Sequence, residues 1–115
     1  MSDITRIETG PRMSQATIHN GIAYLAGQIA EGATVAEQTA AVLEQIDALL
    51  AQAGTDKSRI LTATIILSDI ATFGEMNSVW EKWVPQGATP ARATIEAKLA
   101  APQYLVEIVV VAALA

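Results

Sequence analysis

Two side chains, Arg92 and Glu107, have types and surroundings that mark them as candidates for binding or chemistry. Arg92 lies in Pro90-Ala91-Arg92-Ala93-Thr94, flanked by apolar Ala91, Ala93 and Ile95. A guanidinium stays charged at physiological pH, and its planar fork matches a carboxylate through two parallel hydrogen bonds. Glu107 interrupts an otherwise apolar run from Leu105 to Ala113. Carboxylates are rarely buried without a partner. Two readings follow. Either both groups serve a ligand, or they form a structural Arg-Glu pair between strands. On the residues alone the structural pair is the better reading.

The remaining candidates are thinner. His19 is the sole histidine and sits beside Asn20-Gly21, so it reads as a turn residue with a solvated ring. Ser14, Ser58, Ser68 and Ser78 have no visible base partner, which leaves a serine-histidine relay without support. Gly27 and Gly74 are isolated and form no phosphate-binding pattern. No metal-ligand spacing is present. The absence of cysteine excludes disulfides, thiolate zinc sites and cysteine nucleophiles together.

The elements that must position these groups follow from periodicity. Residues 3–7 read as a short first strand, broken by Gly10-Pro11. Residues 14–19 and 22–28 flank Asn20-Gly21, a strong hairpin signal. Thr34-Val35-Ala36-Glu37 fits a capping box opening a helix that runs to about Ala53. Val35, Val42, Leu43, Ile46, Leu49, Leu50 and Ala53 recur by threes and fours on its apolar stripe. Glu37, Gln38, Glu44, Gln45 and Gln52 lie largely elsewhere around it. Gly54 suits the end of that helix. Residues 59–68 are rich in β-branched types and read as a strand. Thr72-Phe73-Gly74-Glu75 reads as a second capping box. The second helix runs to about Val84, with Phe73, Met76, Trp80, Trp83 and Val84 on its apolar side, and Pro85 and Gly87 end it. Residues 91–99 and 104–113 are the last two strands, joined around Pro102.

The order β-β-β-α-β-α-β-β predicts an α+β sandwich, a mixed sheet with two helices on one face. Alternation divides the strand at 91–99 into an apolar set at odd positions and a polar set of Arg92, Thr94, Glu96 and Lys98. In the last strand both sets are mainly apolar: Val106, Ile108 and Val110 point one way, and Leu105, Val109 and Val111 the other, with Glu107 among them. Two helices cover one face only, so a partner chain is expected on the other.

Composition sets the outer bounds. A chain of 115 residues with 51% hydrophobic and 17% charged residues is predicted to be one folded domain, not a disordered chain. The charged fraction lies below the usual ~25%, which fits a surface partly covered by protein. The net charge of -5 lacks the basic footprint that nucleic acid requires. The apolar runs are too short for a membrane-spanning helix. The N-terminal residues show no basic start followed by an apolar stretch, so a cytoplasmic protein is expected.

The chain is similar over nearly its whole length to the reactive intermediate deaminase family, also called Rid or YjgF. The resemblance rests on Gly10-Pro11, Tyr24-Leu25-Ala26-Gly27-Gln28-Ile29, the helix containing Gln38-Thr39, Met76-Asn77 with Trp80 and Trp83, Pro90-Ala91-Arg92-Ala93-Thr94, and Val106-Glu107-Ile108. Arg12-Met13-Ser14, with His19-Asn20-Gly21, looks most like a short YjgF-like branch. The resemblance implies a chorismate-mutase-like fold and a homotrimer with a cleft at each subunit interface. It implies hydrolysis of enamine and imine intermediates to 2-oxo acids and ammonia, with no metal or cofactor. Arg92 then matches the arginine that grips the substrate carboxylate, and Glu107 the acid that orients or activates water. Gly27 lies on the segment lining the cleft, and Thr94 stands where many members have cysteine. Two departures bear on the substrate. Arg12 follows Gly10-Pro11 where an aromatic residue is common, and either adds a cation to the cleft, favouring a dicarboxylate, or is a solvated loop residue. Ala26 replaces a serine hydroxyl. The competing readings are a non-catalytic trimer that binds small carboxylates as a sensor or regulator and, with weaker support, a chorismate mutase.

Overall fold

The computed structural model describes residues 3–115. Among these residues six strands form one sheet: β1 (Thr5–Thr9), β2 (Ser14–His19), β3 (Ile22–Leu25), β4 (Ile60–Leu67), β5 (Ala91–Glu96) and β6 (Val106–Ala113). Helices α1 (Val35–Ala53) and α2 (Phe73–Trp83) follow β3 and β4. The sheet order is β1-β2-β3-β6-β4-β5. Of these strands, β4 and β5 alone pair in parallel, and the connection between them carries α2. A parallel pair needs such a crossover, whereas a short turn suffices to join an antiparallel pair.

The hairpin signal at Asn20-Gly21 is realised, with both residues at positive φ, as a tight turn between twisted strands requires. The first strand lies two residues later than expected. Gly10 donates to the Met13 carbonyl at 2.8 Å, so the turn begins only after Thr9. The third strand stops at Leu25, not residue 28. Ala26 still donates to Gln15, but Gln28 has crossed to pair with Ile108 of β6. Gly27 stands where the chain changes partner. β5 ends at Glu96, where its partner β4 also ends: the Ala97 amide makes a last bond to the Leu67 carbonyl, and the chain then turns through residues 100–103 toward β6.

Helix α1 keeps its expected cap: the Thr34 hydroxyl accepts from the Glu37 amide at 3.1 Å, and the Glu37 carboxylate accepts from Ala33. Val42, Leu43, Ile46, Leu49 and Leu50 are buried on the sheet, each contributing about 1.5–3 kcal/mol by its removal from water. Gln38 departs from expectation. It is fully buried, because its amide satisfies three backbone groups: it donates to Gly32 and Gln103 and accepts from Leu105. These bonds fix the chain as it approaches β6. Gln38→Ala should therefore cost roughly 3 kcal/mol, since each orphaned buried group costs about 1–3 kcal/mol. The midpoint of chemical denaturation measures it.

The second capping box does not form. The Thr72 hydroxyl donates to the Asp69 carbonyl, and Thr72 makes no side-chain cap. Glu75 reaches the other helix, accepting from the Ala36 amide at 2.8 Å. A carboxylate at the N-terminus of α1 complements its dipole and an otherwise free amide. Trp83 ties the helices further by donating to Asp47.

The two faces of the sheet differ as the last strand predicts. Val106, Ile108, Val110 and Ala112 are buried beneath the helices, while Glu107, Val109 and Val111 are half-buried on the bare face. Tyr24 and Ile95 lie on that bare face at 47% and 48% exposure. The apolar odd positions of β5 belong to the bare face. Its polar set turns toward the helices, because Arg92, Thr94 and Glu96 register with buried Ala63, Ile65 and Leu67.

Candidate functional site

Arg92 projects from an edge strand against α2. Its Nη1 donates to Asn77 Oδ1 at 2.7 Å. The guanidinium carbon lies 5.6 Å from the Phe73 ring centre and 5.5 Å from that of Trp80. Positions 73, 77 and 80 are spaced by four and three, so one helix face presents all three groups. Cation–aromatic attraction and a neutral amide thus hold the guanidinium while leaving its charge uncompensated by them.

Thr94 follows on the same face of β5. Its hydroxyl is buried and has no hydrogen-bond partner among the described residues. Arg12 is exposed in the turn between β1 and β2. It lies outside the lining of a groove of about 490 Å³ that includes Glu8, Met13, Gln15 and Gly27.

Glu107 occupies the other face of the sheet. Its row runs through Ile66 to Ile95, whereas the Arg92 row runs through Ala63 to Val110. The rows are three residues apart, and an odd step along a pleated strand changes face. The structural Arg-Glu pair considered from the sequence is therefore absent within the chain, and the same offset keeps the two groups from one ligand in a single copy. Gly27 backs directly onto Glu107. A Cβ placed on Gly27 would lie 2.8 Å from Glu107 Cδ and closer still to Oε2. The absence of a side chain at Gly27 leaves that space to the carboxylate. Gln28 secures the segment, donating to Gln15 Oε1 and to the Ala26 carbonyl.

The structure thus brings Gly27 to Glu107 and Thr94 to the Arg92 side, and separates the two pairs. Sequence reasoning gives no role around Arg92 to Phe73, Asn77 and Trp80; their common helix face is the available signal. It gives none to Gln28 or Gln38 either. Among the described residues no group of three His, Cys, Asp or Glu side chains gathers as a metal site.

A mixed sheet with both helices on one face, an arginine held beneath the second helix and a carboxylate on the bare face make this chain an α+β sandwich with polar groups on both sides of the sheet. Residues 4–114 match the family model described as Endoribonuclease L-PSP. A RutC family protein of Haemophilus ducreyi is 50% identical over 113 residues, covering 96% of this chain and 97% of that protein. The RutC family protein YoaB of Escherichia coli is 46% identical over 112 residues, covering 96% and 97%. The crystal structure of NMB1025, a YjgF family member from Neisseria meningitidis, superposes with a TM-score of 0.96 at 48% identity, covering 98% of this chain and 96% of that one. The chain belongs to the Rid/YjgF family.

Proposed function

We propose that the protein hydrolyses 2-imino acids, and the enamines in equilibrium with them, to 2-oxo acids and ammonia. The site is a cleft between copies of the chain in a homotrimer, with Arg92 from one copy and Gly27–Glu107 from the next. The observation that carries this reading is the offset of Arg92 and Glu107 onto opposite faces of one sheet. Neither can serve the other's ligand within a chain, and the bare face between Tyr24 and Ile95 is apolar enough to meet another copy.

In this mechanism Arg92 binds the substrate carboxylate and so places the imine carbon. Water adds to that carbon as Glu107 accepts one of its protons. Glu107 passes that proton to the nitrogen, giving a neutral amino alcohol. The hydroxyl proton is then carried by Glu107 to the nitrogen as the C–N bond breaks, so C=O forms, ammonia leaves and Glu107 is again a carboxylate. The C=N bond and one water become C=O and ammonia, with no change of oxidation state. Such hydrolysis proceeds unaided in water, so fixing the reactants supplies much of the acceleration. A general base adds about 10²–10⁴-fold. No metal or other cofactor takes part, and Thr94 serves as a wall residue beside Arg92. Arg12, exposed in the turn between β1 and β2, is a second cation available to a dicarboxylate substrate or else a solvated turn residue. No helix among the described residues is long and apolar enough to cross a membrane, and we place the activity in the cytoplasm, where imines released by pyridoxal-phosphate enzymes arise.

The nuclease in the family model's description receives no support from this chain, whose net charge of -5 repels a phosphodiester backbone. Ala26 favours one second reading. The hydroxyl missing beside Gly27 leaves a cleft able to bind a carboxylate as a sensor without turnover. The deciding experiment generates 2-iminopropanoate in situ and follows ammonia and 2-oxo acid release, with light scattering on the same sample. Accelerated release by a particle of three chain masses is expected. Binding of 2-oxo acid without release identifies the sensor instead, and a monomer contradicts the shared cleft.

A further inference from the structure

We propose that Asn77, with Phe73 and Trp80 flanking it, is a positioning residue that fixes the Arg92 guanidinium without neutralising it. The idea deepens the carboxylate-binding reading and rests on it for the choice of ligand. The arrangement has three parts that agree. Asn77 Oδ1 accepts from Nη1 at 2.7 Å, a short bond to a charged donor. The Phe73 and Trp80 rings lie 5.6 and 5.5 Å from the guanidinium carbon, within the range of cation–aromatic attraction. Phe73 remains 37% exposed, more than expected of an aromatic residue on the apolar side of a helix that serves only the core. Its contact with Arg92 gives this half-exposed ring a partner outside the core.

The amide matters because it is neutral. An aspartate at position 77 has almost the same shape and also accepts a hydrogen bond, yet it would form an ion pair with Arg92. The guanidinium would then meet an incoming carboxylate with its charge already balanced. An asparagine orients the cation and preserves its field for the ligand. This predicts an order of effects that a purely structural contact does not share, since a structural contact would tolerate or gain from the charge-assisted pair.

The test uses the full chain with Asn77→Ala and Asn77→Asp, each checked for oligomer mass and melting temperature. The first readout needs no ligand. In ¹⁵N-labelled protein the Arg92 guanidinium protons should resolve as separate resonances in the parent, because rotation is hindered, and should average in Asn77→Ala. The second readout is calorimetric titration with 2-oxobutanoate. Asn77→Ala should weaken binding about tenfold, on the scale of one hydrogen bond to a charged group. Asn77→Asp should weaken it further while its melting temperature is unchanged or raised. Parent-like affinity in Asn77→Asp would overturn the proposal. If the parent itself does not bind 2-oxobutanoate, the imine-hydrolysis reading falls and the spectra alone decide. Resolved resonances that average in Asn77→Ala then support the positioning role, and averaged resonances in the parent overturn it.

Discussion

Arg92→Ala should abolish both imine hydrolysis and 2-oxo acid binding, and Arg92→Lys should recover only a small part of either. The lysine keeps the charge but loses the planar fork that meets a carboxylate bidentately. It also loses the geometry that engages Asn77, Phe73 and Trp80 together. A loss of at least about 10²-fold in kcat/KM is expected for either substitution, the scale of a charged bidentate contact removed from a sheltered site. The fold should survive, because Arg92 is only half-buried and stands on an edge strand. Steady-state kinetics and 2-oxo acid titration on folded variants of parental mass check the result. Parent-like binding by Arg92→Ala would remove Arg92 from the site.

Glu107→Gln should have the second large effect, of a different kind. The substitution keeps size and hydrogen-bonding capacity but removes the base. Turnover should fall about 10²-fold or more while affinity for 2-oxo acid changes little, because in the proposed shared cleft the carboxylate anchor belongs to another copy. Stability should change little, since Glu107 is half-buried beside Gly27 and forms no pair with Arg92. A variant that melts earlier with its residual turnover intact would mark Glu107 as a structural group. Separate measurement of kcat, KM and melting temperature distinguishes the outcomes.

The local signals in the sequence carry far because each has a short-range physical cause. Asn20-Gly21 adopts the left-handed backbone that its hairpin requires, and Thr34 caps α1 as its spacing to Glu37 predicts. The alternation in β6 separates a helix-covered face from a bare one. The errors arise where a distant element decides. Alternation in β5 says which residues share a face but not which face meets a helix. The apolar set at Ala91, Ala93 and Ile95 lies on the bare face, and Arg92 and Thr94 are the ones turned toward α2. Gln38 reads as a solvated helix position until the loops at Gly32 and Gln103 are brought to it. Glu75 reads as part of its own helix's cap, but packing of α2 beside α1 gives it to Ala36. For the candidate site, the motifs mark Arg92 and Glu107 as the residues to follow. Their assignment to opposite faces depends on three strands in register, which no local window contains.

The most direct test of the shared cleft mixes two inactive variants. Arg92→Ala retains a sound Glu107, and Glu107→Gln retains a sound Arg92. Equal amounts are unfolded together and refolded so that subunits redistribute. In a cyclic trimer with head-to-tail interfaces, random mixing restores both groups to about one quarter of the clefts. Imine hydrolysis by the refolded mixture should therefore rise to about a quarter of the parental rate, while each variant refolded alone stays inactive. Activity in the mixture that remains at the mean of the two separate variants would contradict a site built from Arg92 of one copy and Glu107 of the next.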